Sequence, residues 1–359
     1  MSELINSRDN RATIRWKLLT GASALALTAY VSSAGVAKAE DAGHPVVWIE
    51  AGGAFEQLSA NNTLWISPNT PVAQTNPTPP FGTLPQVGYD ADFKLSLTPK
   101  NSDWIFSVGL IYGRSLRGHK TSHDQTYNTT IASGLSPPKY LPTNWNFINT
   151  QQRSSAKHLI LDFQVGKDVG LGMFGANSKL AVGIRWARLD ESESGHMSGA
   201  TNADQPNALL PNVPGTDVIA DFAAKHSFDG IGPSISWDSS VPFAGNASDG
   251  LSIDWGINAA LLFGKQKTRT NLHTNSSYCA YSCHELTHST TSPTRDKTVM
   301  VPNAGGFAGV SWRLPNAKVS IGYKADFFFN AIDTGVYARK TENRGFYGPF
   351  ASISIGIGD

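Results

Sequence analysis

The chain ends in GFYGPFASISIGIGD, residues 345–359, where isoleucine alternates with serine or glycine from Ser352 onward. A strand with that period presents one apolar face and one face of small polar residues. Nine further segments show period-two patterning, at residues 46–58, 89–98, 104–115, 158–169, 179–190, 227–238, 251–264, 299–313 and 318–330. The sequence therefore predicts an all-β chain of about ten strands.

The two faces of these segments differ in a way that is typical of membrane barrels. The faces opposite the apolar rows are rich in Gly, Ser and Asn, whereas a soluble barrel would carry a charged exterior. Tyr or Trp lies near the ends of the apolar rows, at Tyr89, Trp104, Tyr112, Trp186, Trp237, Trp255 and Trp312. Such placement suits aromatic girdles at the two membrane interfaces. We predict an antiparallel transmembrane β-barrel of the outer membrane.

The connections between the segments alternate in length. Short joints fall at residues 99–102, 171–177, 242–249 and 314–316, and longer polar ones at 59–86, 116–156, 191–225, 268–297 and 331–344. Outer-membrane barrels have short periplasmic turns and long extracellular loops, with both termini in the periplasm. A count of twelve strands stays an alternative, with the extra pair of strands inside 116–156 or 191–225.

The N-terminus has the pattern of an export signal. Basic residues up to Lys17 precede an apolar stretch at 18–31, and Ala37-Lys38-Ala39 fits the small-x-small cleavage pattern. The apolar stretch is too short for an anchor helix. We predict a cleaved signal peptide at 1–39 and a barrel at 40–359. The net charge of +1 argues against nucleic acid as a partner.

Parity places a set of charged side chains on the face opposite the lipid, where they would line the lumen. The candidates are Glu50, Asp90, Asp92, Lys94, Asp162, Arg185, Asp254, Lys324 and Asp326. A small, filled barrel would use them as buried ion pairs, each charge with a partner. A pore would use them to set ion preference, and the acidic excess then predicts a weak preference for cations.

One loop carries the letters of a zinc-peptidase motif. His284-Glu285-Leu286-Thr287-His288 matches H-E-x-x-H, whose chemistry needs both histidines on one helical face. The flanking Ser, Thr, Asn and Pro residues suit a loop, so we predict no catalysis and no cofactor, and adventitious metal binding in an exposed loop stays open. Cys279 and Cys283 lie just upstream. In an oxidising compartment they predict a local disulfide. A Cys2His2-like site with the two histidines is the alternative.

Four stretches of the chain resemble a known family. They are GIRWARLD at 183–190, FDGIGP at 228–233, GYKADFFFN at 322–330 and GFYGPF at 345–350. In order and spacing they are similar to those of the pore-forming outer-membrane proteins typified by the Legionella major outer-membrane protein. The resemblance covers most of the mature chain and implies an outer-membrane barrel and pore formation. Many such barrels end in an aromatic residue read by the assembly machinery, whereas this chain ends in Asp359.

Two functions follow from these observations. The first is a passive pore for ions or small hydrophilic solutes. The second is a non-conducting scaffold whose loops serve adhesion or envelope integrity. An open lumen distinguishes them, and a loop folded inward, for which we nominate 116–156, would constrict or plug it. The expected partners are outer-membrane lipid and the barrel-assembly machinery. Whether the barrel forms a homo-oligomer stays open.

Overall fold

The computed structural model describes residues 46–59, 86–99, 102–132, 139–168, 177–201, 215–245, 249–279, 283–335 and 338–358. The export signal predicted at 1–39 lies outside these residues, so its removal stays a prediction. In the described segments, no helix has the length and apolar character needed to cross a membrane.

The described residues form twelve β-strands. In chain order the strands are β1 Val46–Ser59, β2 Gln86–Thr98, β3 Trp104–Ser115, β4 Gly118–Ala132, β5 Lys139–Asp168, β6 Asn177–Thr201, β7 Gly215–Gly245, β8 Gly250–Cys279, β9 Cys283–Thr291, β10 Thr294–Leu314, β11 Ala317–Asp333 and β12 Thr341–Ile357.

The sheet closes on itself. Each strand pairs antiparallel with its neighbours, and the first strand, β1, pairs with the last, β12, so that Ile49 lies opposite Ile355. Two strands occupy no separate position in the wall: β4 follows β3 after two residues and pairs with β5, and β9 pairs with the far end of β8 just before β10 begins. The described barrel wall therefore has ten positions, which confirms the predicted count, and closure leaves this wall without an unpaired edge.

The barrel is apolar outside and polar inside, which confirms the assignment of the two faces. On β12, Ile353 and Ile355 are exposed on the outer surface, whereas Ser352 and Ser354 are buried in the lumen. The same division holds around the wall, where Phe93, Val182 and Ile321 are exposed. Large apolar side chains on the outside are stable only against lipid. The protein is an outer-membrane β-barrel.

Several strands continue far beyond the membrane. β5 and β8 have 30 residues each and β7 has 31, whereas about 9–11 residues cross a bilayer. The connections predicted at 116–156, 191–225 and 268–297 are long, as expected, but consist largely of strand. Because the outward side chains of these extensions are largely polar, as at Arg153, Lys225 and Lys267, the apolar lipid-facing rows that identified the other strands are missing from them.

Candidate functional site

The lumen contains a polar cavity of about 550 Å³ near the middle of the barrel. Eight of the nine predicted lumen residues line it: Glu50, Asp92, Lys94, Asp162, Arg185, Asp254, Lys324 and Asp326. The ninth, Asp90, lines a small void beside it. Their roles in ion selection stay a prediction, since position alone does not establish selectivity.

Arg185 on β6 is the centre of the lumenal hydrogen-bond network. Its Nε and Nη2 donate to the two carboxylate oxygens of Asp162 at 2.7 and 2.9 Å. Its Nη1 donates to Asn258 at 2.8 Å and to Asn303 at 2.5 Å, and lies 3.5 Å from Asp326. The guanidinium therefore joins β5, β6, β8, β10 and β11 across the bore. Bidentate geometry of this kind gives strong and specific ion pairs.

Other lumenal cations are also paired with carboxylates. Lys324 lies 2.7 Å from Asp90 and 3.0 Å from Asp92. Lys318 lies 2.5 Å from Asp254, and Lys94 lies 3.9 Å from Asp238. The same charges therefore form ion pairs and line a cavity, and which of the two predicted roles they serve stays a prediction.

Several residues of this site were not among those predicted from the sequence. Lys179, Asp238 and Lys318 line the cavity, and His158 lies in the adjoining void. All four fall within the predicted strands or at their ends, and Lys318 shares the parity of Lys324. A strict parity count along each strand would have found them.

The central cavity extends toward the end of the barrel with the short turns. A second cavity of about 410 Å³ lies there, beside the β10–β11 turn at Pro315. The two cavities share lining residues from five strands: Glu50, Lys94, Ile105, Lys179 and Lys318. The two cavities are therefore neighbours, and the second lies between the central cavity and the short turns.

Toward the extracellular end of the barrel, a layer of apolar side chains fills the lumen. Its members come from most of the wall and include Leu58, Ile160, Leu189, Phe228, Leu262, Val301, Phe328, Ile332 and Phe346. Phe228, Leu262, Val301 and Phe328 have no exposed surface. Inward-facing apolar side chains exclude water, so this layer closes the bore above the polar cavity.

The β11–β12 connection supports the apolar layer from above. Asn330 has a φ of 56°, a left-handed conformation that asparagine tolerates, and the β11–β12 register shifts at this point. The five residues that follow, 331–335, are all buried. The inward loop is thus this connection, and not 116–156 as nominated from the sequence, since β4 and β5 pair as a hairpin there.

Asp333 anchors this inward loop. Its Oδ1 accepts hydrogen bonds from the backbone amides of Gly335 and Lys340 at 3.1 and 3.0 Å. Its Oδ2 accepts one from Arg295 Nε at 2.9 Å, and its backbone carbonyl accepts one from Thr268 at 2.8 Å. One carboxylate therefore holds both ends of the loop and ties it to β10.

A second ion-pair network lies in the part of β6 beyond the membrane. The outward side chains after Trp186 are polar, so Glu191 and Glu193 lie outside the spanning segment. Arg344 Nε donates to Glu191 Oε2 at 2.9 Å. Burial, helped by the negative charge of Glu191 and opposed by Arg344, raises the pKa of Glu193 to about 8. A buried carboxyl in this position is protonated at neutral pH.

Glu193 predicts a pH-dependent stability. Its pKa is about 8 when folded and 4.5 as a reference value, so between these limits the folded state binds more protons than the unfolded state. The free energy of unfolding must then fall as the pH rises from 4.5 to about 8, by up to about 1.4 kcal/mol per pH unit. Outside this range Glu193 contributes no pH dependence. Glu193→Gln should flatten this slope in denaturant titrations. An unchanged slope in the variant would contradict the assignment.

The H-E-x-x-H motif lies in strand β9 and not in a helix. Four residues of strand span about 13 Å, too far for His284 and His288 to bind one zinc ion as they would on a helix. His288 packs against His273 of β8, with ring centroids 4.6 Å apart. The backbones of Cys279 and Cys283 are register partners at the end of this hairpin. Their side chains lie outside the described part of the chain, so the disulfide stays a prediction.

Comparison with known proteins identifies a family. The profile described as Legionella pneumophila major outer membrane protein precursor matches residues 98–357. No curated protein matches the chain.

Several solved structures also show similarity to this chain, at low identity. Neisserial surface protein A is 10% identical, with 86% of this chain and 96% of that chain covered and a TM-score of 0.24. The protease OmpT from Escherichia coli is 13% identical, covers 88% and 97%, and has a TM-score of 0.36. A mutant of the TodX monoaromatic hydrocarbon channel is 8% identical, covers 88% and 90%, and has a TM-score of 0.25.

Proposed function

Because the chain belongs to the Legionella major outer membrane protein family, we propose that it is a narrow gated pore for ions and small hydrophilic solutes. The observation that carries the proposal is the charged cavity of about 550 Å³ in the lumen. Ten strands enclose little more space than side chains can fill. A barrel that served only as a scaffold would therefore have a filled lumen, without such a cavity.

The gate in this proposal is the apolar layer together with the inward loop. Below the layer, polar cavities lead to the periplasmic end; above it, the β11–β12 connection blocks the bore. Apolar constrictions of this kind stop ions by excluding water and open when their side chains move apart. The described conformation is thus the closed one.

The charges of the cavity set the expected selectivity. Glu50, Asp92, Asp162, Asp238, Asp254 and Asp326 outnumber the five cations Lys94, Lys179, Arg185, Lys318 and Lys324. Most of these charges are paired, so the net field is small, and we expect a weak preference for cations.

Single-channel recording tests the proposal. The chain, purified from outer membranes, should give rare and brief conductance steps in a planar bilayer, with reversal potentials in a salt gradient that favour cations. Reversal potentials that favour anions would contradict the selectivity. Permanent silence from a barrel that is folded, as judged by its heat-dependent gel mobility, would contradict the pore.

The second candidate is a scaffold that presents its extracellular hairpins to other molecules. It is favoured by one observation, the extension of β5, β7 and β8 to 30 or 31 residues. Regular hairpins of this length form a broad polar surface outside the membrane. This candidate predicts no conductance under any condition and no effect of lumenal substitutions on transport.

Both candidates lack a catalytic step. The zinc-peptidase motif lies in a strand, and we assign no cofactor to either candidate. The barrel-assembly machinery as a partner and any homo-oligomer remain predictions from the sequence.

A further inference from the structure

Three metal-ligating side chains meet in the upper lumen, at the small void beside the central cavity. Glu56 comes from β1, Asp90 from β2 and His158 from β5, and one donor atom of each lies within 4.8 Å of the others. All three residues are at most 5% exposed. Buried carboxylates and imidazoles need partners, because each loses its hydration on burial.

The distance between two of these groups fits ligands of one ion better than a hydrogen bond. His158 Nε2 lies 3.6 Å from Glu56 Oε1. That is too long for a hydrogen bond. Two ligands bound tetrahedrally to zinc at 2.0–2.2 Å lie about 3.4 Å apart, close to the separation found.

Glu56 presents a second sign of a missing partner. Its Oε2 atom is buried and accepts no hydrogen bond from any described group. Glu56, Asp90 and His158 border one small void of about 10 Å³. A void of that size holds about one water molecule or one ion.

The surrounding residues fix two of the three donors, Asp90 and His158, in place. Asp90 accepts hydrogen bonds from Lys324 Nζ at 2.9 Å and from the backbone amide of Ala54 at 2.8 Å. The ring of Phe346 packs against His158, with centroids 4.0 Å apart. A Cβ at Gly113 would lie 1.9 Å from the His158 ring, so this ring position requires glycine at 113. Such outer contacts orient ligands in known metal sites.

Charge at the site also favours a cation. The charged groups that act on the Glu56 carboxylate are Asp90, Asp326 and Lys324, two acids and one base. Lys324 is already shared between Asp90 and Asp92. Three carboxylates, Glu56, Asp90 and Asp326, and one ammonium, Lys324, border the void, so a divalent cation there would balance the excess negative charge.

We propose that Glu56, Asp90 and His158 form a binding site for a divalent transition-metal ion of the zinc type. One nitrogen and two carboxylates are a donor set that zinc accepts, with a water molecule completing the coordination. The ion would join β1, β2 and β5 just below the apolar layer. It would stabilise the folded barrel, because it binds that state alone. This inference does not depend on pore activity.

Metal content tests the proposal directly. The barrel is refolded with ZnCl2, passed through a brief chelator wash to strip exposed sites, and analysed for zinc by mass spectrometry. The wild-type protein should retain about one zinc per chain, since the site is sealed. Glu56→Gln and His158→Gln, which keep side-chain volume, should each reduce retention to near zero. Zinc should also raise the unfolding temperature of the wild type and not of the variants.

The loop histidines supply the matched control. A His284→Ala/His288→Ala double variant should retain as much zinc as the wild type. Loss of zinc in this variant would place the metal in the β9 hairpin and overturn the proposal. Absence of retained zinc from folded wild-type barrels would also overturn it and would mean that Glu56 and Asp90 share a proton. Circular dichroism and gel mobility establish that each variant is folded.

Discussion

Replacing Arg185 by alanine is expected to lower the free energy of unfolding by about 3–5 kcal/mol. The guanidinium pairs bidentately with Asp162 and lies 3.5 Å from Asp326. Without it, both carboxylates stay in the lumen and lose their main partner, and the amide oxygens of Asn258 and Asn303 lose a donor. The cost comes from these uncompensated groups more than from the lost attraction itself.

The matched control for this prediction is Arg188→Ala. Arg188 lies three residues along the same strand, pairs with Asp190 at 2.8 Å, and is exposed. An exposed ion pair of this kind contributes at most about 1 kcal/mol. Both variants are compared with the wild type by denaturant titration in lipid vesicles. Equal losses in the two variants would mean that the lumenal network contributes no more than a surface pair.

A lysine at position 185 separates charge from geometry. Arg185→Lys keeps the positive charge but cannot donate two parallel hydrogen bonds to Asp162 and also reach Asn303. We expect the free energy of unfolding of the lysine variant to lie between that of the wild type and that of the alanine variant. A lysine variant as unstable as the alanine variant would show that the fork geometry, and not the charge, holds the strands together.

The positions of the lumenal charges could be predicted from the sequence because a strand has a strict period of two. Once Ile353 and Ile355 face lipid, the residues between them must face inward, and the rule extends across each pair of strands. Pairing then brings Asp162 opposite Arg185. The partners across the bore could not be predicted, since Asn303 and Arg185 lie 118 residues apart and meet only when the barrel closes.

The inward loop was missed for a related reason. Asn330 to Gly335 has the composition of an exposed turn, with Asn, Asp, Thr and Gly within six residues. Its burial depends on Arg295 and Thr268, which reach Asp333 from distant strands. Local composition does not record such contacts. The extensions of β5 to β8 were missed because their outward side chains are largely polar, so they lack the apolar lipid-facing row of a membrane-spanning strand.

Replacing Asp333 by alanine is expected to open the pore, raising the ratio of open to closed time by about 100- to 1000-fold. The substitution removes an ion pair with Arg295 and two hydrogen bonds to the loop backbone. Breaking a buried pair costs about 3–5 kcal/mol, and each 1.4 kcal/mol is a factor of ten. We expect the observed change to be smaller than the full cost implies, because Thr268 still holds the backbone carbonyl.

Asp296→Ala is the matched control for this prediction, since Asp296 is an exposed acid one residue from Arg295. It should leave single-channel openings at the wild-type frequency. If Asp333→Ala opens the barrel and Asp296→Ala does not, the inward loop is the gate. If both variants and the wild type stay silent while folded, the apolar layer is a permanent plug. The hairpins outside the membrane would then be the functional part of the molecule, because a lumen that never opens transports nothing.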